Sequence, residues 1–117
     1  MKNKRDIDIL EKIIRYCGET EEATQQFGNS IDVLKQNSVY KNAVAMCVLQ
    51  IGELVGHLSE GFKAEHNEMP WRDIKAMRNI AAHKYGSFDM DMLWDTITGD
   101  IPALKDYCEG ICKKDVS

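Results

Sequence analysis

Proline occurs only twice in the 117 residues, at Pro70 and Pro102, and little else in the chain would interrupt a helix. Leu, Ala, Glu, Lys, Met and Gln fill the stretches between a few glycine and asparagine breaks, so the expected class is all-α. Long apolar runs are missing too. The longest, Ala43 to Leu49, is far below the roughly 20 residues that a membrane-spanning helix needs. The basic start Met1-Lys2-Asn3-Lys4-Arg5 meets Asp6 and Asp8 at once, which argues against a secretory signal and for a cytoplasmic protein. No C-x-x-C pair joins the four cysteines, Cys17, Cys47, Cys108 and Cys112, and cytoplasmic thiols stay reduced, so no disulfide framework is expected. Cys108 and Cys112 lie four apart, but two ligands with no histidine nearby do not make a zinc site. Neither a metal nor a cofactor is expected. The formal net charge of −4 also excludes a protein bound to nucleic acid mainly by bulk attraction to phosphates.

What is present suits one globular unit. Apolar residues make up 44% and charged residues 29% of the chain, close to the soluble average, and the length fits a single domain over residues 1–117. A first helix is expected over about Asp6 to Gln26, with Ile7, Leu10, Ile13, Ile14 and Cys17 at helical spacing, ending before Gly28-Asn29. Ser30 then suits the cap of a short helix from Ile31 to Gln36. The third stretch carries the strongest pattern: Val44, Cys47, Val48, Ile51, Val55, Leu58 and Phe62 recur at steps of three and four. Gly52 and Gly56, one turn apart on it, cost helix propensity but let a neighbouring backbone come close. Lys63 to Met69 reads as a polar loop. Pro70 suits the opening of a fourth helix that runs to Tyr85, with Gly86 as its stop. In the last helix Leu93, Ile97, Ile101, Leu104, Cys108 and Ile111 form one stripe, which Pro102 kinks or splits after Gly99-Asp100. The expected architecture is a bundle of four main helices plus one short helix.

Charge is unevenly placed. From Pro70 to Gly86, Arg72, Lys75, Arg78 and Lys84 face only Asp73, a balance of +3. From Asp89 to Glu109 six carboxylates face only Lys105, a balance of −5. The basic stretch coincides with the fourth helix. At about 100° per residue, Trp71, Ile74, Met77, Ala81, Ala82 and Tyr85 share one broad face, and Arg78 falls inside that arc. A guanidinium among apolar neighbours needs a counter-charge or a second surface. Glu53 on the third helix is the candidate ion-pair partner. On an adjoining face Asn79 and His83 stand four apart.

The run Arg78-Asn79-Ile80-Ala81-Ala82-His83-Lys84-Tyr85 resembles the R-x-x-x-x-H-x-Y motif of HEPN ribonucleases. Ile51-Gly52-Glu53, Pro70-Trp71, Trp94 and Ile101-Pro102-Ala103-Leu104 extend the likeness to the HepT branch and over most of the chain. The sequence departs from it in the small Ala81-Ala82 pair, where bulkier apolar residues are common. The resemblance implies an antiparallel HEPN-type bundle acting as a homodimer, with the motif helices of two copies facing each other. It implies a metal-independent endoribonuclease toxin of a toxin–antitoxin pair. Arg78 and His83 would be catalytic and Asn79 supporting. Tyr85 would contact RNA or accept a nucleotidyl group from a cognate minimal nucleotidyltransferase antitoxin. The spacing is compatible with a site shared between copies: five residues place Arg78 and His83 about 140° apart on an ideal helix, and a two-fold axis supplies a second set.

Other readings of the same residues stay open. Arg78 can be a structural ion-pair partner of Glu53 while His83 caps the helix end and Tyr85 packs. His57 and His66 read as structural or solvated. The whole chain can be a non-catalytic HEPN module that binds a nucleotide or a nucleotidyltransferase, or a plain dimeric scaffold.

Overall fold

A computed structural model describes residues 4–81 and 89–116, and every described element is helical. In chain order these are α1 (Lys4–Phe27), α2 (Ile31–Gln36), α3 (Ser38–His57), α4 (Glu60–Glu65), α5 (Trp71–Ala76), α6 (Arg78–Ala81) and α7 (Met90–Asp95), followed by one π-helical turn (Thr96–Asp100) and α8 (Ile101–Val116). No helix among the described residues is long and apolar enough to cross a membrane.

α1 and α3 form the centre, with α8 packed along α1 and with α5 and α6 packed on the other side of α3. Ile9, Leu10, Ile13 and Cys17 of α1 meet Val44, Val48, Ile51 and Val55 of α3 and Leu93, Ile97, Ile101, Leu104, Cys108 and Ile111 of the C-terminal stretch in one apolar core. These are the three- and four-residue stripes of amphipathic helices. Burial pushes the Cys17 thiol from an ordinary 9.0 up to about 12, with the Glu21 carboxylate adding to the effect. It raises Cys47 and Cys108 as well, so these three sulfurs stay protonated and act as small core groups.

The ends of the helices follow local chemistry, with some differences from expectation. Gly28, at φ +132°, closes α1 in a conformation that suits glycine. Ser30 precedes α2 as expected, but its side chain makes no capping hydrogen bond. Asn37 caps α3 instead, its side-chain oxygen accepting from Val39 N and Tyr40 N.

α3 stops at His57 instead of continuing to Phe62. The reason lies 53 residues upstream. The Asp6 carboxylate, buried at 2% exposure, accepts from the Ser59 backbone N–H at 2.9 Å and from its hydroxyl at 2.7 Å. The Ser59 hydroxyl in turn accepts from Phe62 N and starts α4, whose second half, from Lys63, lies within the stretch expected to be loop. That corner turns Phe62 into the core, where its ring meets Trp71 and His66.

At the C-terminal end Pro102 neither splits nor stops the helix. The turn before it widens: the Ile101 N–H bonds Thr96 O, five residues back. Proline at 102 has no N–H to give Thr98 O, and its ring crowds that carbonyl, so a π turn relieves the strain without breaking the stripe.

Candidate active site

α5 is anchored by its apolar side. Trp71, Ile74 and Met77 are each 6% exposed, and the Trp71 indole N–H donates to His66 O at 2.9 Å. At Met77 the helix tightens: its N–H bonds Ile74 O, three residues back rather than four. This is where the segment presses on α3. A Cβ placed on Gly52 would stand 2.8 Å from Arg78 Cβ, 3.0 Å from Arg78 N and 3.1 Å from Lys75 O. Only a residue without a side chain lets the two backbones meet there.

Arg78 is the residue whose Cβ meets Gly52 there. The wheel projection put it within the apolar arc, but its side chain is 45% exposed, on the flank that faces α3. Its Nη1 donates to Glu53 Oε1 at 2.6 Å, and Glu53 is 44% exposed. The pair is half-buried at most, so solvent screens it and it adds little to stability. One edge of the guanidinium is held by the carboxylate, which leaves further donors of the planar fork for another acceptor. A small pocket of about 170 Å³ opens beside the pair, lined among the described residues by Gly52, Glu53, Gly56, His57, Lys75 and Arg78.

Asn79, the next residue, turns to the opposite flank. It lines a larger groove of about 450 Å³ between α5–α6 and α7, with Met77 and Met92 on its apolar side and Asp73, Asp89, Asp95 and Asp100 around it. The structure thus brings Arg78 and Glu53 together and places Asn79 apart from them. His83 and Tyr85 lie outside the described residues, as does the expected stop at Gly86.

His66 belongs to neither flank. It packs on Phe62 with ring centroids 4.5 Å apart and meets the edge of Tyr107. Sequence reasoning passed over His57 and Lys75 as partners of Arg78. For Lys75 the signal was present, one turn before Arg78 on the same helix and next to the α3 glycines. Among the described residues no group of three or more His, Cys, Asp or Glu side chains is arranged to hold a metal ion.

The profile of the ribonuclease HepT-like family matches residues 7–111. Among curated proteins, one named "Putative RNase" from Caldanaerobacter subterraneus subsp. tengcongensis is 29% identical over 106 residues, covering 91% of this chain and 93% of its own. A "Probable ribonuclease HepT" from Thermococcus cleftensis is 38% identical over 71 residues, 61% of this chain and 64% of that protein. A further protein named as an RNase in the same guarded form, from Methanocaldococcus jannaschii, is 27% identical over 108 residues, 92% of this chain and 97% of its own. No solved structure matches the chain.

Proposed function

Because the chain belongs to the ribonuclease HepT-like family, we propose that it cleaves RNA without a metal, in a site that two copies assemble around their motif helices. Membership of this family makes it an enzyme of the endoribonuclease type. The observation that carries the rest is Arg78: a guanidinium half-exposed on a pocket, held at one edge by Glu53 and with donors to spare.

RNA brings its own nucleophile. In this reading His83, an imidazole able to accept a proton, takes the proton of a 2′-hydroxyl. The 2′-oxygen attacks the adjacent phosphorus and the P–O5′ bond breaks, leaving a 2′,3′-cyclic phosphate and a 5′-oxygen that takes a proton from water. Arg78 holds the non-bridging oxygens as charge grows on the phosphorane. Asn79 orients the phosphate or the imidazole from the partner copy's side of the cleft, which fits its turning away from Arg78 within one chain. The four main helical stretches, α1, α3, α5–α6 and α7–α8, form the antiparallel bundle of each copy. The protein acts in the cytoplasm as a toxin, restrained by a minimal nucleotidyltransferase that modifies Tyr85. A nucleotidyl group there adds bulk and negative charge to a phosphate-binding cleft and repels RNA.

The test is cleavage of a fluorogenic single-stranded RNA by purified protein in EDTA, beside His83→Ala. The parent is expected to cleave in the chelator. The variant, folded and of parental sedimentation coefficient, is expected to lose about 10²–10⁴-fold, the usual worth of an acid–base group. Parental rates in His83→Ala, or activity that returns only with a divalent ion, would overturn the mechanism, and a parent that sediments as a folded monomer while cleaving would overturn the shared site.

A further inference from the structure

Gly52 and Gly56 lie on the same flank of α3, but they do different things. Gly52 admits backbone. Gly56 admits a side chain: a Cβ there would lie 3.3 Å from Lys75 Cε, 3.7 Å from its Cδ and 3.9 Å from its Nζ. The end of the lysine chain therefore lies over Gly56, in the space a side chain at 56 would take. This carries its ammonium into the pocket that Arg78 and Glu53 line, which His57 lines as well. A lysine on an exposed helix face is normally free to sweep through solvent. Here the missing side chain gives its stem a resting place and fixes where the charge goes.

The geometry points to a second phosphate subsite in this pocket, where Lys75, with an N–H from His57, holds a phosphodiester of single-stranded RNA next to the one that Arg78 serves. Charge agrees with that occupant. Beyond the Arg78–Glu53 pair Lys75 brings one positive charge, and a phosphodiester carries −1. No carboxylate among the described residues forms an ion pair with Lys75. Size agrees as well: about 170 Å³ is room for one tetrahedral anion and a few waters of roughly 30 Å³ each. The subsite rests on the reading of the chain as a ribonuclease and adds to it a contact that sets how RNA lies across the motif helix.

The probe is a fluorescein-labelled single-stranded RNA with every 2′-oxygen methylated, which binds but offers no nucleophile. Its affinity is measured across a salt series for the full chain, Lys75→Met, Lys75→Arg and Gly56→Ala. Lys75→Met is expected to weaken binding to unrelated sequences alike and to lower the slope of log affinity against log salt by about 0.7, one phosphate contact on a single strand. Lys75→Arg is expected to keep the parental slope. Gly56→Ala asks the end of the lysine chain to give by only a few tenths of an ångström and favours helix, so it is expected to keep the parental slope while melting no lower than the parent. An unchanged slope in folded Lys75→Met, or a slope that falls as far in Lys75→Arg as in Lys75→Met, would overturn the subsite. Cleavage of unmethylated RNA is followed separately. A parent that cleaves while Lys75→Met keeps its slope removes the subsite and leaves the nuclease. A parent that never cleaves while Lys75→Met loses slope removes the nuclease and leaves the subsite.

Discussion

The two flanks of the α5–α6 segment are opposite in nearly every respect. On the α3 flank Lys75, Arg78 and His57 share a small pocket with the single carboxylate of Glu53. On the α7 flank four aspartates surround a larger, mostly apolar groove. The first flank is shaped by two glycines that bring backbone and a lysine stem against α3. The second is shaped by side chains, among them Met77 and Met92. A polyanion is drawn to the first more strongly than to the second. A net-acidic chain can thus still offer RNA a cationic surface, because the charges are sorted to opposite sides of one helical segment.

The largest test closes the cationic flank. Gly52→Val drives a branched side chain into Arg78 and the Lys75 carbonyl, and it is expected to cost about 3 kcal/mol of unfolding free energy, the upper part of the overpacking range. The same change at Gly18, where an added Cβ meets nothing within 4 Å, is expected to be near neutral. Chemical denaturation of both variants compares them, and equal costs would show that the α3 seam is no tighter than an open helix face.

Next in size is the charge within that flank. Glu53→Gln keeps an oxygen for Arg78 but removes the negative charge. Stability is expected to change by less than about 1 kcal/mol, because both side chains are half-exposed. RNA affinity at low salt is expected to rise about two- to fivefold and to lose that gain as salt screens the field. A loss of more than about 3 kcal/mol, the signature of a broken buried pair, would make Arg78 a structural residue and take the flank out of RNA binding.

The smallest effect is expected on the acidic side. Asp95→Asn combined with Asp100→Asn is expected to alter RNA affinity less than about threefold at physiological salt, where exposed charges are screened beyond about 8 Å. Cleavage assays would sharpen the contrast. A collapse of activity in this variant would place the chemistry in the acidic groove and reverse the assignment of the two flanks.

Much of this was legible in the residues. The stripes of α1, α3 and α8 follow from a 3.6-residue period, which is a local property, and burial of Leu10, Val48, Ile51 and Leu104 agrees with it. The value of glycine at 52 was legible as a close approach of backbone, whereas at 56 the neighbour is a lysine side chain; the fit of Glu53 to Arg78 was legible as a charge in reach. The motif from Arg78 to Tyr85 gave the family, and the match over residues 7–111 agrees with it.

Other features were decided by contacts between distant parts of the chain. Nothing near Ser59 announces that α3 must end before it, because the carboxylate that accepts its N–H and hydroxyl belongs to Asp6. The wheel that placed Arg78 among apolar neighbours assumed an unbroken helix from Trp71. The helix tightens at Met77, and Arg78 and the Lys75 carbonyl press on Gly52. That contact sets Arg78 on the α3 flank and leaves Asn79 lining the α7 groove, a sorting that composition registers only as basic and acidic stretches. Sequence by itself determined the helical class, the buried stripes and which side chains are candidates for chemistry, because periodicity and side-chain type act over a turn or two. Which side of the helix each chemical group serves was decided only by packing, because it depends on where another backbone comes close enough to touch.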